Sequence, residues 1–308
     1  MTTTGADAPD RSPSEVATWL LRALWLIAPL TIGPALGAAL DDRSDGVQLV
    51  GSVAAWGVWV VVLVALLVPR ATSLTVVRVG VPGALAAAVW AAGFEGGDDG
   101  VGRSVLAVVA ASVATATALS PAVGDLFVNG SAYGAERRFA LRCPPVFAAL
   151  AAVTWVAVAA GAITGPLLLG AHQWVLGAVA TAVGAVVVVA GGRSLHGLAR
   201  RWLVFVPSGL VVHDPLARPE SVMAPRPLIV SLEPAREGAD GVDLTVGAPG
   251  LVLELVTSEP IPVTVRRPGG ELVTEEATRI LFTPTRAAGV LAEAAARRVP
   301  VSSTAGDG

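Results

Sequence analysis

Six long apolar runs fill the first two thirds of the chain, most of them separated by short polar or charged stretches. They cover residues 18–40, 47–68, 74–94, 104–123, 146–168 and 171–190, each about the ~20 residues a helix needs to cross a bilayer. Polar positions inside them are few, so these helices are apolar all round, as lipid-facing spans are. Pro29 and Pro34 in the first run predict a kink there. The last two runs, three residues apart, predict a tight helical hairpin.

The pattern changes near Gly191-Gly192, where apolar character stops and Arg193, Arg200 and Arg201 follow. Beyond them, short β-branched and aromatic segments alternate with turn residues. Residues 202–206 and 210–214, joined by Pro207-Ser208-Gly209, predict a β-hairpin. Further strands are predicted at 221–224, 228–232, 242–246, 251–256, 261–266 and 279–283, with 242–246 and 251–256 paired through Gly247-Ala248-Pro249-Gly250. Thr283 as N-cap and Pro284 as first residue then open a final helix, whose stripe of Ala287, Val290, Leu291, Ala294 and Ala295 faces one side. Val290 and Leu291 carry most of the bulk of that stripe, so Leu291 is the expected core plug. The domain layout expected is a disordered tail at 1–17, a six-helix membrane unit at 18–192, a cytoplasmic β-rich domain at 193–300 and a loose end at 301–308. Residues 200–298 are expected to fold by themselves.

Composition agrees. Hydrophobic residues make up 54% and mean hydropathy is +0.68, too apolar for an ordinary soluble protein. All 21 cationic residues are arginine. Near span ends, one side would hold Arg11, Arg22, Arg70, Arg78, Arg137, Arg138, Arg142, Arg193, Arg200 and Arg201, the other only Arg43 and Arg103. Positive charge stays inside, so both termini and the basic loop between the fourth and fifth runs are expected to face the cytoplasm of a bacterial plasma membrane. The net charge of −3 excludes a basic nucleic-acid binder. A single cysteine, Cys143, excludes an intramolecular disulfide.

No set of catalytic, cofactor-binding or metal-ligating residues emerges. His172 lies on the face opposite His196 and His213, and without lysine a phosphate-cradling Walker loop is impossible. Candidate contacts for anionic lipid headgroups are Arg137, Arg138, Arg142, Arg200 and Arg201, each juxtamembrane cation contributing about 1 kcal/mol. Glu136 is placed to pair with one of them. No ionisable residue falls in mid-membrane: Arg22 and Arg78 lie about one turn from the cytoplasmic ends, within snorkelling reach. Thr115, Thr117, Thr154 and Thr164 are the polar points left.

From Arg200 to Arg298, a strand series opening on Arg201-Trp202-Leu203-Val204-Phe205-Val206-Pro207-Ser208-Gly209 and closed by a helix resembles the pleckstrin-homology-like (PH-like) barrel. The whole chain, with Tyr133-Gly134-Ala135-Glu136-Arg137-Arg138-Phe139-Ala140-Leu141-Arg142-Cys143-Pro144-Pro145 between its fourth and fifth runs, is similar to actinobacterial multi-span membrane proteins of unknown function. The resemblance implies a curved sheet plugged by the final helix and brings no activity. Phosphoinositide-binding members of the PH family use cations around the first hairpin turn, and Pro207-Ser208-Gly209 has none. The expected role is therefore a non-enzymatic membrane anchor, without cofactor, for a domain that docks a protein partner; a small-solute transporter or channel is the other reading.

Overall fold

The computed structural model describes residues 12–94, 97–215, 220–266 and 271–301. The rest of the expected N-terminal tail, the expected C-terminal tail beyond Val301 and part of the acidic loop at 95–103 lie outside those residues.

Five helices are long and apolar enough to cross a membrane among the described residues. They are α4 (Asp45–Leu67), α5 (Ala71–Ala92), α6 (Gly97–Leu119), α8 (Pro145–Gly170) and α9 (Trp174–Ala199). The first apolar run is not one helix. It is divided into α1 (Pro13–Leu26), α2 (Ala28–Thr31) and α3 (Gly33–Asp41), with breaks at Ile27 and Ile32, each two residues before a proline that lacks an amide donor. α1 begins inside the expected tail because Ser12 and Glu15 form a reciprocal capping box ahead of Pro13.

This broken segment runs antiparallel to α4 along its length. Arg22 donates to the Leu66 carbonyl at one end, the indoles of Trp25 and Trp59 each donate to the other's carbonyl in the middle, and Leu40 packs on Gly51 at the far end. Arg22 thus satisfies its guanidinium on a helix end, beside the Trp19 ring at 4.9 Å.

The fourth run stops at Leu119, earlier than expected. The Ser120 hydroxyl accepts from the Val123 amide, and with Pro121 behind it starts a separate nine-residue helix, α7 (Pro121–Asn129). Conversely, Gly191 and Gly192 do not end α9, which continues to Ala199. A Cβ on Gly191 would stand 2.5 Å from a Val158 methyl, and Gly161 and Gly184 face each other at backbone distance. Glycine here serves close approach of α8 and α9, the small-residue packing common between helices in lipid.

Two four-stranded sheets follow. The first is an antiparallel meander of β1 (Arg137–Ala140), β2 (Trp202–Val206), β3 (Gly209–His213) and β4 (Val222–Pro225). The β2–β3 hairpin has Val206 opposite Gly209, and a Cβ on Gly209 would stand 2.1 Å from the Ala224 carbonyl oxygen of β4, so only glycine fits. The second sheet orders β5 (Ile229–Pro234), β7 (Leu253–Arg266), β8 (Leu272–Phe282) and β6 (Val242–Asp243). The strands expected at 251–256 and 261–266 are one strand with an irregularity between Val256 and Ile261. The hairpin expected between 242–246 and 251–256 does not form: β6 pairs parallel with Ile280 and Leu281 of β8, and positive φ at Val246, Gly247 and Gly250 turns the chain away.

The closing helix α10 (Ala287–Ala296) begins four residues after the expected cap. Thr283 and Thr285 are engaged first: the Thr283 carbonyl accepts from the Arg142 amide and the Thr285 amide donates to Ala140. Of the apolar stripe, Val290 and Ala294 are fully buried, Leu291 is half-buried and Ala295 is exposed. The anchor is therefore Val290, not Leu291. Val290→Ala is expected to cost about 2 kcal/mol, two buried methyl groups' worth, and Leu291→Ala less than half of that. Thermal midpoints of the two full-length variants in detergent check the order.

Candidate functional site: the junction of bundle and sheet

The first sheet starts inside the bundle. β1 belongs to the basic loop between the fourth and fifth runs, and its partner β2 follows α9, so the α8–α9 hairpin is inserted between two adjacent strands of one meander. Phe139 and Leu141 consequently lie in the same core as Leu203, Phe205, Ile280 and Val290.

A strand at a sheet edge leaves outward amides unpaired. Here α7 covers them. Asn129 Oδ1 accepts from the Arg138 amide and Asp125 Oδ1 from the Ala140 amide, both at 3.0 Å. The geometry follows from elementary spacing: residues four apart on a helix are about 6 Å apart along its axis, and residues two apart on a strand about 6.6 Å. An Asp-Asn pair at i, i+4 is thus matched to successive outward amides of one strand. The sequence offered this signal in Asp125 and Asn129, at the end of the fourth apolar run, but their partners were not identifiable until β1 was known as a strand.

Asp125 also meets the C-terminal end of the chain. The Thr285 hydroxyl lies 3.1 Å from its Oδ1, and Arg286 Nε stands 3.8 Å from its Oδ2, while Arg286 Nη1 donates to the Ser14 hydroxyl of α1. Four parts of the chain, α1, α7, β1 and the lead into α10, therefore converge on one buried carboxylate. Burial pushes the Asp125 carboxyl above the usual carboxylate range, opposed by the hydrogen bonds from Ala140 and Thr285 and by the charges of Arg286 and Arg137. Gly124, beside it, makes room for Arg78: a Cβ there would stand 2.8 Å from Arg78 Nη2. Arg78 thus turns into the junction instead of out to water.

The five arginines singled out in the sequence have different fates. Arg201 is buried and forms a bidentate pair with Asp214, Nε to Oδ1 at 2.8 Å and Nη2 to Oδ2 at 2.6 Å, and its Nη1 donates to the Arg142 carbonyl at 2.7 Å. Completely enclosed, it is no lipid contact; it ties the start of β2 to the residue after β3 and to the segment entering α8. Arg138 pairs with Glu136 and stacks over Trp202 at 5.5 Å. That hydrogen bond, with one from the Tyr133 amide, holds the Glu136 carboxyl below its usual range. Arg137 lies over Phe139 at 5.4 Å. Arg200 is exposed, and Arg142 has a buried Nε that meets no acceptor among the described residues. The sequence treated these side chains as one basic patch, whereas the fold spends most of them on structure.

The site is a clasp, not a ligand cavity. Among the described residues, a cavity between β2, β3, β5 and the end of α10 has a volume of about 10 Å³, space for roughly one water molecule. Of the threonines in the helices, Thr117 and Thr154 donate to carbonyls one turn back in their own helices, as helix-packing hydroxyls do. The Thr115 hydroxyl is buried without a partner among the described residues. No family model matches this chain, and no curated protein or solved structure matches it. Fold and site together define a class: a multi-pass helical membrane protein whose β-rich C-terminal region is built partly from an inter-helix loop.

Proposed function

We propose that this is a non-enzymatic anchor which holds a PH-like interaction domain at the inner face of a bacterial plasma membrane and presents it to a protein partner. The observation that carries the reading is β1. With its first strand supplied from between two membrane helices, the domain is held in one orientation, which suits docking at a surface. Two four-stranded sheets and a closing helix support the PH-like assignment, with the α8–α9 hairpin as an insertion after the first strand. Six crossings follow if α1–α3 spans as a broken helix alongside α4, which puts Ser14, α7, β1 and the C-terminal domain on one side. The arginine asymmetry makes that side cytoplasmic.

Orientation has a native reporter in Cys143, an exposed residue whose thiol is pushed up in pKa by burial of its sulfur, against the opposing charges of Arg201 and Arg78. At mildly alkaline pH, an impermeant thiol reagent is expected to label Cys143 only after cells are opened; labelling in intact cells contradicts the orientation. The docking role is tested by photo-crosslinking in cells. A photoreactive residue at the exposed positions Met223 or Val230 should give a discrete protein adduct, while one at the outward-facing Val183 should give lipid only. Lipid-only products at all three positions would contradict the reading.

A further inference from the structure

The C-terminal domain exposes few bulky apolar side chains, and two of them share one loop: Val246 is 42% and Leu251 51% exposed. The loop is braced. Asp243 Oδ1 accepts from the Thr245 amide, the Thr245 hydroxyl from the Gly247 amide and the Thr245 carbonyl from the Ala248 amide, and Ala248 is buried beneath. Val246 stands at a φ of +52°, where a β-branched residue is strained. Val246 is thereby held outward, with Leu251 exposed at the far end of the same loop.

The position of the loop bears on what covers it. A Cβ on Gly250 would stand 2.7 Å from Arg142 Nε, so the loop abuts Arg142, three residues before α8 enters the membrane. At 26 residues α8 is about 39 Å long, more than the ~30 Å hydrocarbon core, so its ends reach the headgroup layer. Arg142 is itself half-buried, and Arg200, at the same open end of the α8–α9 hairpin, is exposed. A partly exposed arginine beside apolar side chains at a membrane entry is the pattern of an interfacial anchor, the cation on lipid phosphate and the apolar groups at the acyl boundary.

We infer that residues 246–251 and Arg142 form a contact with anionic phospholipid of the same bilayer the helices cross, which fixes the domain to the membrane at a second point. This goes beyond the docking role proposed above and needs no protein partner.

The test uses the full chain carrying Cys143→Ser and Leu251→Cys, labelled at position 251 with an environment-sensitive fluorophore and reconstituted in phosphatidylcholine vesicles with or without phosphatidylglycerol. Leu251 is exposed, so the substitution spares the core. With phosphatidylglycerol, emission is expected to shift to the blue, and quenching by a shallow nitroxide-bearing lipid is expected to exceed quenching by aqueous iodide. Arg142→Gln is expected to weaken the preference for anionic lipid roughly fivefold, the contribution of one juxtamembrane cation. Inorganic phosphate should leave the signal unchanged. A label quenched by iodide alone, a signal indifferent to lipid charge, or displacement by inorganic phosphate would each overturn the assignment. A label at position 246, read the same way, guards against a local effect at 251.

Discussion

Arg201→Ala is expected to be the most damaging single substitution in the C-terminal domain. It leaves the Asp214 carboxylate, whose side chain is wholly buried, without its guanidinium, and removes the donor to the Arg142 carbonyl. Breaking a buried pair from one side costs about 3–5 kcal/mol, because the remaining charge keeps its desolvation penalty. At roughly 4–8 °C per kcal/mol for a unit of about 100 residues, the thermal midpoint should fall by at least about 12 °C. Since the pair contributes geometry more than net energy, the double replacement Arg201→Met with Asp214→Leu should recover most of the loss. A double variant as unstable as Arg201→Ala would show that the ion pair itself supplies the stability.

Asp125→Ala is expected to act elsewhere, on the attachment of the domain. The part-buried Ala140 amide loses its acceptor, at a cost of about 1–3 kcal/mol, and the partly exposed Arg286 loses its counter-charge, which costs less. The visible result should be faster proteolysis at Arg137 and Arg138 as the β1 edge loosens from α7, with the β2–β3 hairpin still protected. The sign of the pH dependence follows from the raised pKa. A folded-state value above the unfolded ~3.9 means that the folded protein holds the proton more tightly, so this contribution is complete below ~3.9 and is lost as pH rises through the elevated value. The clasp should therefore resist proteolysis better under mild acid than at neutral pH. Asp125→Asn keeps an acceptor for the Ala140 amide and carries no titrating group, so it should flatten that dependence. An unchanged pH profile in Asp125→Asn would assign the effect to another residue.

How much of this was legible depended on whether the signal was local. The apolar runs, the 202–213 hairpin and the closing helix are set by periodicity within a window of a few turns, and all were readable. The break of the first run was readable from Pro29 and Pro34, and the helical hairpin from the two residues between its apolar runs. β1 was not. It is four residues long, only Phe139 in it is buried, and its partner lies beyond two intervening helices. Arg137 and Arg138 looked like topology signals because nothing nearby showed that their backbone was a strand. The same cause misplaced the start of α10: Thr283-Pro284 is a sound capping signal, overridden by pairing with residues 140–142 from the other side of the hairpin. The misread 242–256 hairpin is a contest between neighbours, where β8 takes the place beside β7 that proximity in sequence gave to β6. Asp125 and Asn129 were visible as polar residues at a span end, but their meaning depends on an edge strand that local pattern does not reveal.

The central claim, that a strand from between the membrane helices is part of the C-terminal sheet, is tested most directly by a disulfide across β1 and β2. Arg138 faces Val204, and the Arg138 amide points away to Asn129, so the two residues form a non-hydrogen-bonded pair with Cα atoms about 4.5 Å apart, within disulfide range. In a Cys143→Ser chain, Arg138→Cys with Val204→Cys should oxidise almost completely within the monomer in native membranes. The off-register pair Arg138→Cys with Phe205→Cys should stay reduced under the same conditions. Free thiols remaining in the first pair, or equal oxidation of both, would contradict the shared sheet.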